Sequence, residues 1–318
     1  MNITDILKVA AQVLGGFIML MLGGDWLVNG GVSLARRLRI SPLVIGLTIV
    51  AFGTSAPELL VSLVSAIKGS SGIAIGNVVG SNIVNICLIL GITAIISPIV
   101  TDNRKVLTNG AVMIIASVLL VFFSLNRGIT RIEGLILFLC LLLFTFYSVH
   151  KGKMKKKEAE TYNMDKKEEP MKMPVAIGFI LVSCLMLAFG ADILVDGATT
   201  LAKWMNVSDK VIGLTIVALG TSLPELAASI AAAVKKEMDI SIGNIIGSNI
   251  FNILCVLGIS ASIKPITFEF GQYADDFWWM IGTSALLLIV TTMKNGRLGR
   301  TAGIIFLLAY AYYAWSLF

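Results

Sequence analysis

The sequence predicts an all-α membrane protein, with ten transmembrane helices forming two inverted five-helix repeats around discontinuous core helices. Three observations carry that expectation. The 318 residues are 57% hydrophobic and 14% charged, against about 25% charged in an ordinary soluble domain. Apolar runs long enough for roughly 30 Å of hydrocarbon recur along the whole chain. Finally, Gly53-Thr54-Ser55-Ala56-Pro57-Glu58 returns as Gly220-Thr221-Ser222-Leu223-Pro224-Glu225, 167 positions later.

The expected spans lie near 6–28, 41–66, 72–98, 106–124, 131–149, 173–198, 208–234, 240–263, 275–293 and 301–317. The N-terminus lacks a basic region followed by a small-residue cleavage site, so the first span is expected to stay as a signal anchor. With the N-terminus outside, 18 of the 25 basic residues fall in cytoplasmic loops: Arg36, Arg37, Arg39, Arg104, Lys105, eight lysines of 151–172, Lys235, Lys236, Lys294, Arg297 and Arg300. The positive-inside rule therefore puts both termini outside and the 151–172 loop in the cytoplasm of a prokaryotic plasma membrane. That loop has eight lysines, five acidic residues and almost nothing apolar, so it reads as a solvated linker. It divides the chain into a first repeat, 1–150, and a second, 173–318. The net charge of +6 follows from topology and does not indicate nucleic-acid binding.

The halves align without a gap. Residues 41–66 match 208–233 at 17 of 26 positions, and 73–96 match 240–263 at 15 of 24. Five spans is an odd number, so the second copy enters from the opposite side, and equivalent motifs meet near the midplane.

Span 41–66 is a helix with a fault. Pro57 cannot donate to the carbonyl of Gly53, and Gly53 tolerates an unwound backbone. Irregular backbone at membrane depth survives only where it is buried in protein or lines a hydrated cavity, and a cation would satisfy the freed carbonyls around Ala51 to Thr54. Glu58 lies four positions beyond Thr54, on the same helical face. Ala218, Thr221, Pro224 and Glu225 repeat the arrangement. The facing wall comes from Gly76-Asn77-Val78-Val79-Gly80-Ser81-Asn82-Ile83-Val84-Asn85 and its copy ending Ser248-Asn249-Ile250-Phe251-Asn252. Ser81 and Asn85 share a face, as do Ser248 and Asn252. The glycine pairs Gly76/Gly80 and Gly243/Gly247 allow close backbone approach. Ordinary small-residue packing would account for the glycines but not for two intramembrane glutamates at equivalent positions.

This ligand set is all oxygen. Without histidine or thiolate it argues against zinc, copper and iron, and it suits Ca²⁺ or Na⁺. Cys87, Cys140, Cys184 and Cys255 lie in apolar spans at no metal-ligand spacing and read as small buried hydrophobes; His150 opens the basic loop. Two carboxylates are neutralised by one Ca²⁺ or two Na⁺, and mutually exclusive occupancy of one such pocket is a physical basis for antiport. No resident cofactor is implied; the ions are cargo.

With G-T-S-x-P-E and G-N-x-x-G-S-N-x-x-N both duplicated, the chain resembles the cation/calcium exchanger superfamily, and most of all the prokaryotic sodium/calcium exchangers with their paired α-repeats. The resemblance covers all ten expected spans. It implies a central calcium site from Glu58, Glu225 and the backbone oxygens of Thr54 and Thr221. It also implies sodium sites drawing on Ala51, Ser55, Ser81 and Glu58, and on Ala218, Ser222, Ser248 and Glu225. Spans one and six would slide across the other eight, with Gly15-Gly16, Gly23-Gly24 and Gly30-Gly31 giving a smooth surface. One departure stands at Asn252, where members often carry aspartate; here Asn85 and Asn252 are both amides. Asp25 and Asp192, near the ends of spans one and six, are a second duplicated acidic pair, read as helix-end or interfacial residues or as a gate.

Three other classes compete with Na⁺-driven calcium antiport: H⁺-coupled exchange through the same glutamates, a passive cation channel, and a membrane-embedded enzyme. The serine and carbonyl oxygens favour sodium, the mirrored broken helices favour alternating access over an open pore, and no HExxH, nucleophile–His pair or phosphate loop is present. The expected partners are Ca²⁺, Na⁺ and the bilayer, with the chain acting as a monomer.

Overall fold

The computed structural model describes residues 3–154, 162, 169–205, 218–294 (218 by its backbone only) and 296–317. The described chain is almost wholly helical, its strands being four two-residue pieces. The helices are α1 (Ile3–Leu38), α2 (Pro42–Thr54), α3 (Ala56–Ile67), α4 (Ser71–Ile96), α5 (Asn103–Ser124), α6 (Arg131–Lys151), α7 (Met173–Trp204), α8 (Ala218–Gly220), α9 (Leu223–Val234), α10 (Met238–Ile263), α11 (Ala274–Met293) and α12 (Arg300–Ser316).

Seven of these are long and apolar enough to cross a membrane alone, and α2 with α3 makes an eighth, bent by 49° at Ser55. Two expected spans fall short of that test. Residues 208–217 of the seventh lie outside the described residues, leaving α8 and the 12-residue α9. The tenth, α12, has 17 residues.

The break between α2 and α3 sits where the proline puts it. Ser55 leaves helical geometry at φ −85°, ψ 9°, and α3 restarts with Pro57 in its first turn, where a missing N–H costs nothing. Gly53 has a different role from the unwinding expected of it. It stays helical, and a Cβ there would lie 2.3 Å from the Cys184 sulfur of α7, so it is a seat for a neighbouring side chain. Wide π-turns interrupt α2 at Gly46–Val50, α4 at Asn85–Ile89 and α10 at Asn252–Leu257. Such turns concentrate at functional sites, and two of these begin on the duplicated asparagines.

β1 (Ile99–Val100) pairs antiparallel with β4 (Arg297–Leu298), and β2 (Gly128–Ile129) pairs with β3 (Ile266–Thr267). Each pair ties a loop of one half of the chain to a loop of the other. Gly128 (φ +117°) and Gly296 (φ +80°) take up backbone that a side chain resists, and a Cβ on either would strike a carbonyl oxygen at 2.1 Å. The loop after α4, the start of α10 and the loop before α12 gather at one end: Thr101 Oγ1 donates to Asp239 at 2.9 Å, and Lys105 pairs with Asp239 at 3.6 Å.

α1 and α7 lie antiparallel along a seam of small residues. A Cβ on Gly16 would meet Gly190 O at 2.7 Å, one on Gly23 the Leu187 side chain at 3.0 Å, and one on Gly30 Ala176 O at 3.0 Å. The seven-residue spacing keeps the seam on one face. The adjacent glycines look elsewhere. A Cβ on Gly24 would meet Ala227 and Ala231 of α9, one on Gly31 would meet Ile45 and Val50 of α2, and one on Gly15 would meet nothing from another element within 4 Å. Of the expected sliding surface, then, only Gly24 and Gly31 face the remaining helices. Of the two expected glycine pairs, a Cβ on Gly243 or Gly247 would meet the backbone of Leu43 or Leu47 at 2.6–2.7 Å, while one on Gly76 or Gly80 would meet no described atom of a neighbouring element within 4 Å.

Asp25 and Asp192 lie well inside α1 and α7 rather than near their ends, because both helices are longer than a simple span, at 36 and 32 residues. Asp25 pairs with Lys235, just past α9, at 2.5 Å, and Lys235 also reaches Asn29 Oδ1 at 2.6 Å.

Candidate functional site

Glu58 and Glu225 stand in the first turns of α3 and α9, each just after its helix restarts, and are 1% and 0% exposed. The serine before each restart serves the glutamate of the other half. Ser55 Oγ donates to Glu225 Oε1 at 2.8 Å, and Ser222 Oγ donates to Glu58 Oε1 at 3.3 Å. The second oxygen of each carboxylate is buried and has no donor.

The walls are α4 and α10. Asn77 Nδ2 on α4 donates to Ser62 Oγ at 2.9 Å and to Glu58 O at 3.2 Å. Asn244 on α10 does the same with Ser229 Oγ at 2.9 Å and Glu225 O at 3.3 Å. These bonds clamp the first turn of each glutamate helix to its wall. The Thr54 hydroxyl sits 3.2 Å from Asn244 Oδ1 and 3.4 Å from Ser248 Oγ. The Ala51 carbonyl already accepts from the Ser55 N–H at 3.0 Å.

Asn85 and Asn252 open the π-turns of α4 and α10. The turn at Asn252 packs on α3, which carries Glu58, and the turn at Asn85 packs on α9, which carries Glu225. Both amides are fully buried.

Among the described residues, the buried side-chain atoms without a hydrogen-bond partner include Glu58 Oε2, Glu225 Oε2, Asn85 Oδ1, Asn252 Oδ1 and Thr221 Oγ1. Four of the five are oxygens that can only accept, and stranding them costs several kcal/mol unless a cation takes the place of the donors. No lysine, arginine or histidine is among the buried described residues, so none of these supplies a buried positive charge beside the two carboxylates. The donor set fits Ca²⁺ or Na⁺ as cargo.

The expected residues are therefore brought together unevenly. Ser55 bonds Glu225, Ser222 bonds Glu58 and Thr54 meets Ser248, while Asn85, Asn252 and Thr221 contribute bare oxygens. Ser81 is buried on α4 and belongs to none of these bonded pairs. Ala218 is described only by its backbone, at the start of α8. Asn77, Asn244, Ser62 and Ser229 had no assigned role in the sequence, although each pair is separated by the same 167 positions as the motif.

Known proteins resemble the chain along nearly its whole length. The family model described as sodium/calcium exchanger protein matches residues 8–150 and 175–318. CaxA of Alkalimonas amylolytica is 40% identical over 310 residues, covering 96% of this chain and 97% of that one. The sodium/calcium exchanger MaX1 of Methanosarcina acetivorans is 34% identical, covering 95% and 96%. A solved structure of the sodium-calcium exchanger NCX_Mj, soaked with 10 mM Na⁺ and zero Ca²⁺, superposes with a TM-score of 0.84 at 34% identity, covering 98% and 100%.

Proposed function

Because the chain belongs to the sodium/calcium exchanger family, we propose that it exchanges Ca²⁺ for Na⁺ by alternating access at a site built on Glu58 and Glu225. It is a multi-pass membrane transporter and not an enzyme. The observation that carries the site is the crossed pair of bonds, Ser55 to Glu225 and Ser222 to Glu58, which leaves one bare carboxylate oxygen from each half. Calcium binds between these two oxygens, with the carbonyls of Thr54 and Thr221 and the Oδ1 atoms of Asn85 and Asn252 in reach. Sodium ions flank it, at Ala51, Ser55 and Ser81 on one side and Ala218, Ser222 and Ser248 on the other. One Ca²⁺ cancels the two negative charges, and sodium displaces it by taking the same oxygens. An emptied pocket would hold unpaired charge and resist moving, which couples the two fluxes.

The architecture we infer has ten spans as two inverted repeats, 1–150 and 173–318, joined by 151–172, with both termini outside. The paired strands and the Asn77–Ser62 and Asn244–Ser229 clamps support it, since each recurs in the other half at about the motif's offset.

Purified protein in liposomes tests the reading. An imposed Na⁺ gradient is expected to drive calcium uptake, and Glu58→Gln and Glu225→Gln are each expected to reduce it by at least a hundredfold. Uptake driven by a pH gradient and indifferent to Na⁺ would establish proton coupling instead.

A further inference from the structure

Asn82 and Asn249 are not counted among the ion ligands, yet they face each other across α4 and α10 in a reciprocal lock. Asn82 Nδ2 donates to the Asn249 backbone carbonyl at 3.3 Å, and Asn249 Nδ2 donates to the Asn82 carbonyl at 3.2 Å. Each side chain's other atom then meets the duplicated asparagine of the opposite half. Asn252 Nδ2 donates to Asn82 Oδ1 at 3.1 Å, and Asn85 Nδ2 donates to Asn249 Oδ1 at 3.0 Å. All four side chains are essentially inaccessible to solvent.

The orientation of every amide follows from one fact, that a backbone carbonyl can only accept. The end of Asn82 that faces Asn249 O must be the NH₂, so its other end is oxygen. The end of Asn252 facing that oxygen must in turn be NH₂. Its remaining atom, Oδ1, is thereby fixed as an acceptor and left buried without a donor. The same chain of necessity runs from Asn249 to Asn85. No rotation of one amide escapes it, because each flip sets oxygen against oxygen.

We infer that Asn82 and Asn249 are positioning residues that aim the carbonyl oxygens of Asn252 and Asn85 into the transport site. Each half thus sets a ligand belonging to the other. The inference rests on Asn85 and Asn252 serving as ion ligands, as proposed above. It assigns the middle of this site two neutral oxygens whose direction is fixed before any ion arrives, which reduces the ordering cost of binding. It also explains why amides rather than a carboxylate suit position 252 here: an ionised carboxylate would turn an oxygen toward Asn82 Oδ1 with no hydrogen between them.

A double-mutant cycle on the full-length protein in liposomes, using Na⁺-driven uptake of radioactive Ca²⁺, tests this. Asn252→Ala is expected to raise the half-saturating Ca²⁺ concentration about tenfold, the size of one lost buried interaction. Asn82→Ala should raise it by a similar factor while leaving the maximal rate within about threefold. The double variant should be no worse than Asn252→Ala within about twofold, since a residue acting through another adds nothing once that other is gone. Asn249→Ala with Asn85→Ala gives the mirror cycle. Multiplying effects, or an Asn82→Ala that lowers thermal stability without moving the half-saturating concentration, would overturn the inference. An Asn252→Ala indistinguishable from the parent would instead remove the ligand reading, and the inference with it. If the alanine variants do not fold, Asn82→Ser and Asn249→Ser carry the same cycles.

Discussion

At the scale of single residues, the site separates charge from direction. In the proposed site Glu58 and Glu225 supply the charge, and the asparagines and serines determine where oxygens point. Asn252→Asp therefore does more than add a ligand. Its carboxylate can keep the bond to Asn82 Oδ1 only with a proton between the two oxygens, so calcium uptake by this variant should fall relative to the parent as pH rises. Comparing both proteins over the same pH range cancels any contribution from Glu58 and Glu225, which they share. Parallel profiles would show that position 252 has no such contact. The glutamates, threonines and serines of the candidate site stood out in the sequence because each is costly in hydrocarbon and each appears twice. The roles of Asn82 and Asn249 were not. Their duplication was visible, but their partners lie 164 and 170 residues away, and no local spacing encodes such a pairing.

At the scale of helices, the break at Ser55 was readable from Pro57, whereas the π-turns were not, because no residue type demands them. The two-residue strands were equally silent, since they exist only once both halves meet. Close helix contacts give a stability prediction. A side chain at Gly243 must enter space held by Leu43 O at 2.6 Å and Leu47 N at 3.1 Å. Gly243→Val should cost about 1–3 kcal/mol, seen as a lower unfolding temperature in detergent. Gly15→Ala, with nothing within 4 Å, should leave that temperature unchanged or slightly higher.

The link from Lys235 to Asp25 and Asn29 joins α1 to the end of α9. Lys68, Asp192 and Asp196 stand 167 positions from Lys235, Asp25 and Asn29, yet they make no ion pair with one another in the structure. One latch is closed while its counterpart is open, an asymmetry of the kind that the alternating access proposed above calls for. The closed pair is partly exposed, at 28% and 45%, so it is worth about 0.5–1 kcal/mol. Asp25→Asn should therefore shift the balance of inward and outward states a few-fold at most. Half-saturating Ca²⁺ measured separately from the two faces of the membrane should move in opposite directions; a change of the same sign on both faces would count against the latch.

For the molecule as a whole, composition and the duplicated motif were enough to foresee an all-helical membrane protein with broken helices at its centre. The lengths of α1 and α7 were harder to foresee, since hydropathy marks where a helix can cross lipid and not where it ends. That difference moved Asp25 from a helix end to the middle of a contact. The glycine seam between α1 and α7 carries the widest consequence. Helices packed this closely at Gly16, Gly23 and Gly30 resist shifting independently, so α1 and α7 act as a single rigid strut. In the alternating access proposed above, one displacement of that strut would then open one side of the site as it closes the other, with no separate timing signal. A disulfide between Gly23→Cys and Leu187→Cys, within the strut, should leave exchange intact. One between Gly24→Cys and Ala231→Cys, pinning the strut to α9, should arrest it until reductant is added.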